Sequence, residues 1–370
     1  MWASKLVNFF TSVASMVPFF TALESPTMET QESTCVNPAQ RREWRTLSVT
    51  ERAEWISAIK CVADLPHNAS VVETQFDPTQ PRLNPNSSYY DDLTFVHNDL
   101  VGIIHGTGYF LSWHRNHVHT METAMRAHCG YKGVPPYWDW TLDAPDFEHS
   151  DFWNDSDPKS GLGGWGNPDS NAEVQDGAFA GFKLAYPYPH VLRRRFRPRP
   201  WLNTLWGSMF HIDPLRMVNE SFTRAEVDRI VNGHVGDYRG FQASMAALPG
   251  MHSSLHAIVG GDLGGECPSN NPGLKCSVGL SPNEPLFYLH HGMIDKIWYD
   301  WQNAHPANRN AFSGGSVEHM ESTEAFDRYP VGGPPDLDIT SVLPSNGLHG
   351  TVTIGNVLST TGGYLCYVYV

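Results

Sequence analysis

The sequence predicts a mainly α-helical protein with long irregular connections and only a few short strands. Three segments repeat apolar residues at helical spacing, and two capping boxes mark positions where helices begin. Alternation of apolar and polar residues, the pattern of a strand, occurs only near the C-terminus, in GTVTIGNV and YLCYVYV.

The first helix is predicted to open at a capping box made by Ser48 and Glu51. Ile56 and Ile59 then share one helical face, and Pro66 ends the helix because a proline cannot continue it.

The other predicted helices carry most of the histidines. Their segments are DDLTFVHNDLVGII, WHRNHVHTMETAMRAH and EPLFYLHHGMIDKIWYDWQ, and a capping box of Thr223 and Glu226 opens a further helix. The stretch between Trp140 and Met251 is rich in Gly, Pro and Asn, which favour loops. It is predicted to form long connections wrapped around a helical core.

Composition limits the partners of this chain. Its 370 residues are 41% hydrophobic, enough for one large domain with a substantial core. A formal net charge of −14 leaves no basic face for nucleic acid. The one cationic cluster, RRRFRPRP at Arg193–Pro200, is short and interrupted by prolines, so it is predicted to be a solvated loop that pairs with the acidic surface.

The N-terminus and the cysteines indicate a secreted protein. Residues 1–22 form an apolar run that is too short and too polar for a membrane anchor and fits a signal peptide. Acceptor sequons for glycosylation occur at Asn68, Asn86, Asn154 and Asn219. The six cysteines are predicted to form disulfides, of which only Cys267–Cys276 is assigned, and buried free thiols are the alternative.

A first group of histidines is predicted to meet at one point. His97 lies on one helix, His105 in the glycine-containing turn that follows, and His114 at the start of the next helix. The three other histidines of that helix, His117, His119 and His128, point in other directions or lie farther along it and are interpreted as surface or structural residues.

A second group lies far downstream. His252 and His256 are four residues apart on one helical face, a spacing that lets two imidazoles bind one ion. His291 precedes Asp295 by four residues, so this carboxylate is expected to orient the imidazole. His290 is turned by about 100° on the same helix and is predicted to face elsewhere.

Two groups of three histidines, without a cysteine or carboxylate ligand, predict two metal ions. Imidazole shells with open positions suit copper, which must change oxidation state while oxygen and substrate coordinate. Zinc in a hydrolase is the rival interpretation, but such sites generally need a general base nearby and no HExxH motif is present.

Two long segments resemble the copper signatures of the tyrosinase, catechol oxidase and haemocyanin family. They are HGTGYFLSWHR followed by Glu122, and EPLFYLHHGMID, and PYWDW and the terminal Tyr367-Val-Tyr369 are also similar to that family. The resemblance covers most of the chain and is greatest to short secreted fungal members. It implies a copper-binding domain over residues 35–370.

The resemblance implies a four-helix bundle that holds two copper ions and binds dioxygen. One ion would be bound by His97, His105 and His114, and the other by His252, His256 and His291. It also implies that Phe287 packs against a ligand ring and that Asp295 holds His291 in one tautomer.

The implied activity is oxidation of small phenols by dioxygen to quinones, in pigment or secondary metabolite formation. Ser253 follows His252 where efficient phenol hydroxylases of the family have Asn or Asp, and neighbouring Gln242 is no substitute for a carboxylate. We therefore expect o-diphenols or o-aminophenols to be better substrates than monophenols. Two alternatives remain: a non-enzymatic oxygen carrier like haemocyanin, which would need a shielding domain, and a descendant that has lost its copper.

Overall fold

The computed structural model describes residues 35–73, 81–84, 86–202, 204–267 and 276–370. The predicted signal peptide, residues 1–22, lies outside them. The described residues all fall within one compact unit, Ser33–Val370.

Helices dominate this unit, as predicted. They are α1 (Val49–Asp64), α2 (Tyr89–Asp99), α3 (Val101–Ile104), α4 (Phe110–Cys129), α5 (Leu205–Met209), α6 (Arg224–Gly233), α7 (Tyr238–Ala246), α8 (Met251–Val259), α9 (Leu286–Ala304), α10 (Thr323–Arg328) and α11 (Ile354–Leu358). The strands are β1 (Ala39–Arg41), β2 (Lys183–Leu184), β3 (His190–Val191), β4 (Gly315–Val317), β5 (Gly333–Asp336) and β6 (Tyr367–Tyr369).

The predicted helix starts are correct. Ser48 caps α1 with both bonds of a capping box, since its hydroxyl accepts from the Glu51 amide and the Glu51 carboxylate accepts from the Ser48 amide. Thr223 caps α6 through the Glu226 amide, but the Glu226 carboxylate pairs with Arg229 instead of completing the box. Local hydrogen bonds therefore set where both helices begin.

Helices α2, α4, α8 and α9 carry five of the six predicted ligand histidines and form the core around them. Every residue of α9 from Leu286 to Asp295 is buried, and α4 packs against both α9 and α1. A helix that is buried on all sides needs partners on all sides. Large aromatic side chains provide them, including Trp138, Trp140 and Trp298, which are fully buried.

The ends of the described unit are joined. Strand β1 pairs in parallel with β6, so that Ala39 lies opposite Tyr367, and a disulfide links Cys35 to Cys366. The strand predicted in YLCYVYV is thus confirmed. The strand predicted in GTVTIGNV is wrong, because Thr353 and Asn356 form a capping box that starts α11 there.

All six cysteines are paired. The predicted bond Cys267–Cys276 is present, and Cys61–Cys129 joins α1 to the end of α4. The alternative of buried free thiols is therefore excluded. None of the helices in the described part of the chain is long and apolar enough to cross a membrane.

The cationic cluster is not a solvated loop, and this prediction is wrong for its first two arginines. Arg194 is fully buried, and its guanidinium donates to both carboxylate oxygens of Glu284 at 2.8 and 2.9 Å. Arg193 is buried against Asp262 at 2.7 Å. Both acidic partners are distant in sequence, so nothing near the cluster indicated that they would come to lie beside it.

Candidate metal centre

The predicted ligands come together in two neighbouring groups. The possible ligand atoms of His97, His105 and His114 lie within 4.8 Å of one another, and so do those of a second group. The second group has four members, His252, His256, His290 and His291. All six predicted ligands are thus found where an ion could be bound, and His290 is added to them.

Backbone carbonyls orient four of the imidazoles. The Nδ1 atoms of His97, His105 and His114 lie 2.7, 3.0 and 2.7 Å from the carbonyl oxygens of Gly279, Val101 and Phe110, respectively. His256 makes the same bond to Leu263 at 3.0 Å. Because a carbonyl oxygen only accepts, each Nδ1 carries the ring proton and each Nε2 is left with a free lone pair.

The free lone pairs face one another. His97 Nε2 lies 3.2 Å from His114 Nε2, although neither nitrogen carries a proton to share. His252 Nε2 and both ring nitrogens of His291 are buried and have no hydrogen-bond partner among the described residues. Burying a nitrogen lone pair without a hydrogen-bond partner is energetically unfavourable unless a ligand satisfies it. A metal ion in each group would do so.

Burial keeps these imidazoles neutral. It lowers the pKa of His105 and of His256 to about 4, and it lowers the pKa values of His97, His114 and His252 as well, with neighbouring imidazoles adding to the effect in these three. Neutral imidazole is the form that binds a metal. The donor set, which contains only nitrogen, suits copper or zinc better than magnesium or calcium.

The two groups form a single site. The rings of His114 and His291 stack with centroids 4.4 Å apart, and those of His105 and His252 lie 5.9 Å apart. Two ions bound there would be close neighbours. The predicted packing of Phe287 is confirmed, since its ring centroid lies 4.2 Å from that of His291 and 5.2 Å from that of His97.

The prediction that His290 faces elsewhere is wrong. Its side chain is fully buried beside His252 and His256, because the helix places both imidazoles of the pair toward α8. However, the indole Nε1 of Trp140 lies 3.2 Å from His290 Nδ1. An indole N–H only donates, so Nδ1 must accept and the ring proton of neutral His290 must be on Nε2.

This bond sets His290 apart from the other histidines. An imidazole that binds a metal through Nε2 carries its proton on Nδ1, which here would point at the indole N–H. Binding through Nδ1 would instead require the metal to displace Trp140. The geometry therefore favours His291, whose two ring nitrogens are free of hydrogen bonds, over His290 as the third imidazole of the second group.

Asp295 does not bond to His291, and this predicted contact is wrong. Its carboxylate accepts hydrogen bonds from Arg115 on α4 and from the hydroxyls of Tyr367 and Tyr369 on β6, at 2.6 and 2.5 Å for the two tyrosines. The Arg41 guanidinium lies 3.6 Å away. Although burial opposes ionisation, the two arginines lower the pKa of Asp295, so the carboxylate stays charged.

A cavity of about 550 Å³ opens beside the two groups. His105, His252 and His256 line it together with Phe110 and the predicted residue Ser253. The Ser253 hydroxyl lies 3.4 Å from the Ala246 carbonyl oxygen. The cavity is large enough for an aromatic ring with a side chain.

The cavity also contains an acidic residue that sequence reasoning missed. This residue is Glu318, which directly follows β4. The residue noted in the sequence, Gln242, is instead buried and donates to the Thr107 carbonyl oxygen. No motif marks Glu318, since it belongs to a loop far from the histidine segments in sequence.

Comparison with known proteins identifies the family. Residues 87–304 match the model of the common central domain of tyrosinase. The chain is 32% identical to the tyrosinase-like protein phomQ1 of Diaporthe leptostromiformis in an alignment of 358 positions that covers 90% of this chain and 78% of the relative. It is 26% identical to the N-acetyl-6-hydroxytryptophan oxidase ivoB of Emericella nidulans over 96% of this chain and 99% of the relative.

A solved structure shares the fold over nearly the same extent. A variant of the polyphenol oxidase from Thermothelomyces thermophila superimposes with a TM-score of 0.64 at 26% identity, covering 90% of this chain and 89% of that one. The matched residues include all six predicted ligands, five of them on helices and His105 in a turn. The chain therefore belongs to the tyrosinase family of type 3 copper proteins.

Proposed function

We propose that this protein is a copper-dependent oxidase that uses dioxygen to convert phenolic substrates, above all o-diphenols or o-aminophenols, to quinones. The observation that carries the proposal is the pair of adjacent imidazole groups, in which four rings have an unprotonated Nε2, while His252 Nε2 and both ring nitrogens of His291 are buried without a hydrogen-bond partner among the described residues. Each of two diphenol molecules loses two electrons and two protons. One dioxygen molecule takes up these four electrons and four protons and becomes two water molecules.

In this proposal His97, His105 and His114 hold one copper ion, and His252, His256 and His291 hold the other. The carbonyl oxygens of Gly279, Val101, Phe110 and Leu263 keep four of these rings in the ligating tautomer. When bound, copper supplies the electron-transfer chemistry and open coordination positions for oxygen and substrate.

The chain's own residues bind and orient the substrate. Phe287 packs against His97 and His291 and fixes their rings, so that the imidazoles need not reorganise during turnover. The largely apolar cavity admits an aromatic ring beside the histidines. Ser253 directs its hydroxyl to the backbone and brings no carboxylate or amide to hold a water molecule, which favours diphenols over monophenols.

The substrate is proposed to be a small phenolic metabolite, in a pathway of pigment or secondary metabolite formation. The name of ivoB describes an oxidase of a hydroxylated aromatic metabolite, which supports this class. Three disulfides support folding in the secretory pathway, where such bonds persist.

The test is to load the purified full chain with copper and to follow oxygen uptake and quinone formation with 4-methylcatechol, 2-aminophenol and 4-methylphenol. We expect rapid oxidation of the first two and slow oxidation of the third. The variant His114→Ala should show none of these activities. Reversible oxygen binding without quinone would favour the haemocyanin-like alternative, and no oxygen uptake at all would overturn the proposal.

A further inference from the structure

The cavity lining has two anionic side chains and one cationic side chain. The lining is mostly apolar or aromatic, and these three charged side chains are Arg197, Glu266 and Glu318. Arg197 donates to Glu266 at 2.6 Å, and Arg195 lies 3.8 Å from the same carboxylate. The cationic side of the cavity therefore already has its counter-ion.

Glu318 has no such partner. No ion pair or hydrogen bond joins its carboxylate to another described residue, and neighbouring His319 bonds to Glu321 at 3.1 Å. Burial, with a smaller contribution from Glu321 and a still smaller opposing one from His319, raises the pKa of Glu318 to about 7. A half-buried carboxylate without a cation is unfavourable in its charged form, and a cation placed beside it would offset this cost.

The position of Glu318 relates it to the site. Its Cγ would lie only 3.2 Å from a Cβ atom placed on Gly106, the residue after His105. Glu318 thus packs against the turn that presents the first histidine group. The pair of Arg197 and Glu266 lies against Gly260, just after the helix that carries His256. A substrate whose ring reaches the histidines would have a free carboxylate beside it on the His105 side.

We propose that Glu318 makes this protein selective for phenolic substrates that carry a cationic amino group on the side chain. This inference rests on the proposed phenol oxidation at the same site. The ammonium group lies against Glu318 while the ring enters toward the histidines. Phe210 and Phe326 also line the cavity, and an aromatic ring attracts a cation placed over its face. An anionic substrate would have to displace Glu266 from Arg197.

The experiment compares three catechols that share a ring and differ in side-chain charge: dopamine, 4-ethylcatechol and 3-(3,4-dihydroxyphenyl)propionic acid. For the copper-loaded full chain we expect kcat/KM for dopamine to exceed that for 4-ethylcatechol by roughly tenfold, mainly through KM, as a charge-assisted bond in a partly buried site provides. The acid should be the poorest of the three. In Glu318→Gln the ratio of dopamine to 4-ethylcatechol should fall to near one.

The control is Glu324→Gln, which removes an exposed carboxylate on α10 that does not line the cavity and should keep the ratio. Calorimetric binding of 2-phenylethylamine and 2-phenylethanol gives a readout that needs no turnover, and only the amine should lose affinity in Glu318→Gln. Equal preference for all three catechols, or a ratio that survives Glu318→Gln, would overturn the selectivity. If no catechol is oxidised, the proposed function fails, and the calorimetry alone then decides whether Glu318 binds the cation.

Discussion

At the scale of single residues, hydrogen-bond direction distinguishes imidazoles that look alike in the sequence. His290 and His291 are adjacent, both are buried, and both lie within reach of the second group. Only His290 accepts from Trp140, and this bond places its proton on the nitrogen that would otherwise bind a metal. Helical geometry alone predicts a direction for a side chain and does not predict its tautomer.

This distinction predicts unequal effects of two neighbouring substitutions. His291→Ala should reduce bound copper from two ions to one per chain, whereas His290→Ala should keep two. The measurement is metal content of the folded protein, with circular dichroism to confirm folding. A loss of copper in His290→Ala together with full loading of His291→Ala would mean that the ligand assignment is one residue out of register.

A second prediction at this scale concerns Ser253. A phenol with a pKa near 10 must lose its proton to react, and a positioned base makes this possible near neutral pH. Since the Ser253 hydroxyl bonds to the backbone, we expect a high ratio of diphenol to monophenol activity. Ser253→Asn should raise monophenol turnover, because Glu318 provides a carboxylate in the same cavity with which the amide could hold a water molecule.

The measurement compares initial rates on 4-ethylphenol and 4-ethylcatechol, with a trace of catechol added to remove any lag. Ser253→Ala is the control, since it removes the hydroxyl without adding an amide and should give no gain. Equal rates of the unmodified protein on both substrates would show that a base is already in place.

At the scale of elements, Asp295 ties helix α9 to the rest of the fold. Its carboxylate bonds to Arg115 on α4 and to Tyr367 and Tyr369 on β6, and the guanidinium of Arg41 on β1 lies over the Tyr367 ring at 3.6 Å. The four elements thus meet at one buried charge. This network orients the helix that carries His291, without a hydrogen bond to the imidazole itself.

The network predicts that Asp295→Asn acts mainly on stability. The change leaves the buried guanidinium of Arg115 without its carboxylate partner, while Arg41 keeps Glu122 at 2.9 Å, and it should cost about 3 to 5 kcal/mol in free energy of unfolding. Copper bound per folded chain should stay at two ions. Chemical denaturation measures the first quantity and metal analysis the second.

The control on the same helix is Asp300→Asn. Asp300 pairs with Lys296 at a more exposed position, so its loss should cost less than about 1 kcal/mol. A variant Asp295→Asn with unchanged stability but depleted copper would restore the direct role for Asp295 that the sequence led us to expect.

At the scale of the whole molecule, covalent and strand pairing at the termini closes the fold. The disulfide Cys35–Cys366 spans 331 residues and lies beside the pairing of β1 with β6. Cys267–Cys276 spans only 9 residues. A cross-link that closes a longer loop restricts the unfolded chain more strongly.

The two disulfides should therefore differ in effect. Replacing both Cys35 and Cys366 by Ala should lower the free energy of unfolding by roughly 5 to 6 kcal/mol, against roughly 3 kcal/mol for the pair Cys267 and Cys276, from loop entropy. Denaturation midpoints of the two double variants under identical conditions test this order. The reverse order would mean that the short loop stabilises the native state directly.

The helical class, the starts of α1 and α6, one disulfide, and six of the seven histidines in the two groups could be predicted from the sequence. Each follows from information that is local or repeated along the chain: capping residues, helical spacing, a short loop between two cysteines, and histidines at fixed offsets. The family resemblance rests on the same kind of local signature, and the match over residues 87–304 confirms it.

Which distant groups meet could be seen only in the folded chain. Arg194 pairs with Glu284, and Asp295 accepts hydrogen bonds from two tyrosines instead of binding His291. The indole N–H of Trp140 donates to His290. Glu318 lines the cavity, although its loop carries no recognisable motif. Such pairs are separated by many residues, and whether a polar side chain is solvated, paired or left free depends on what the folded chain brings beside it.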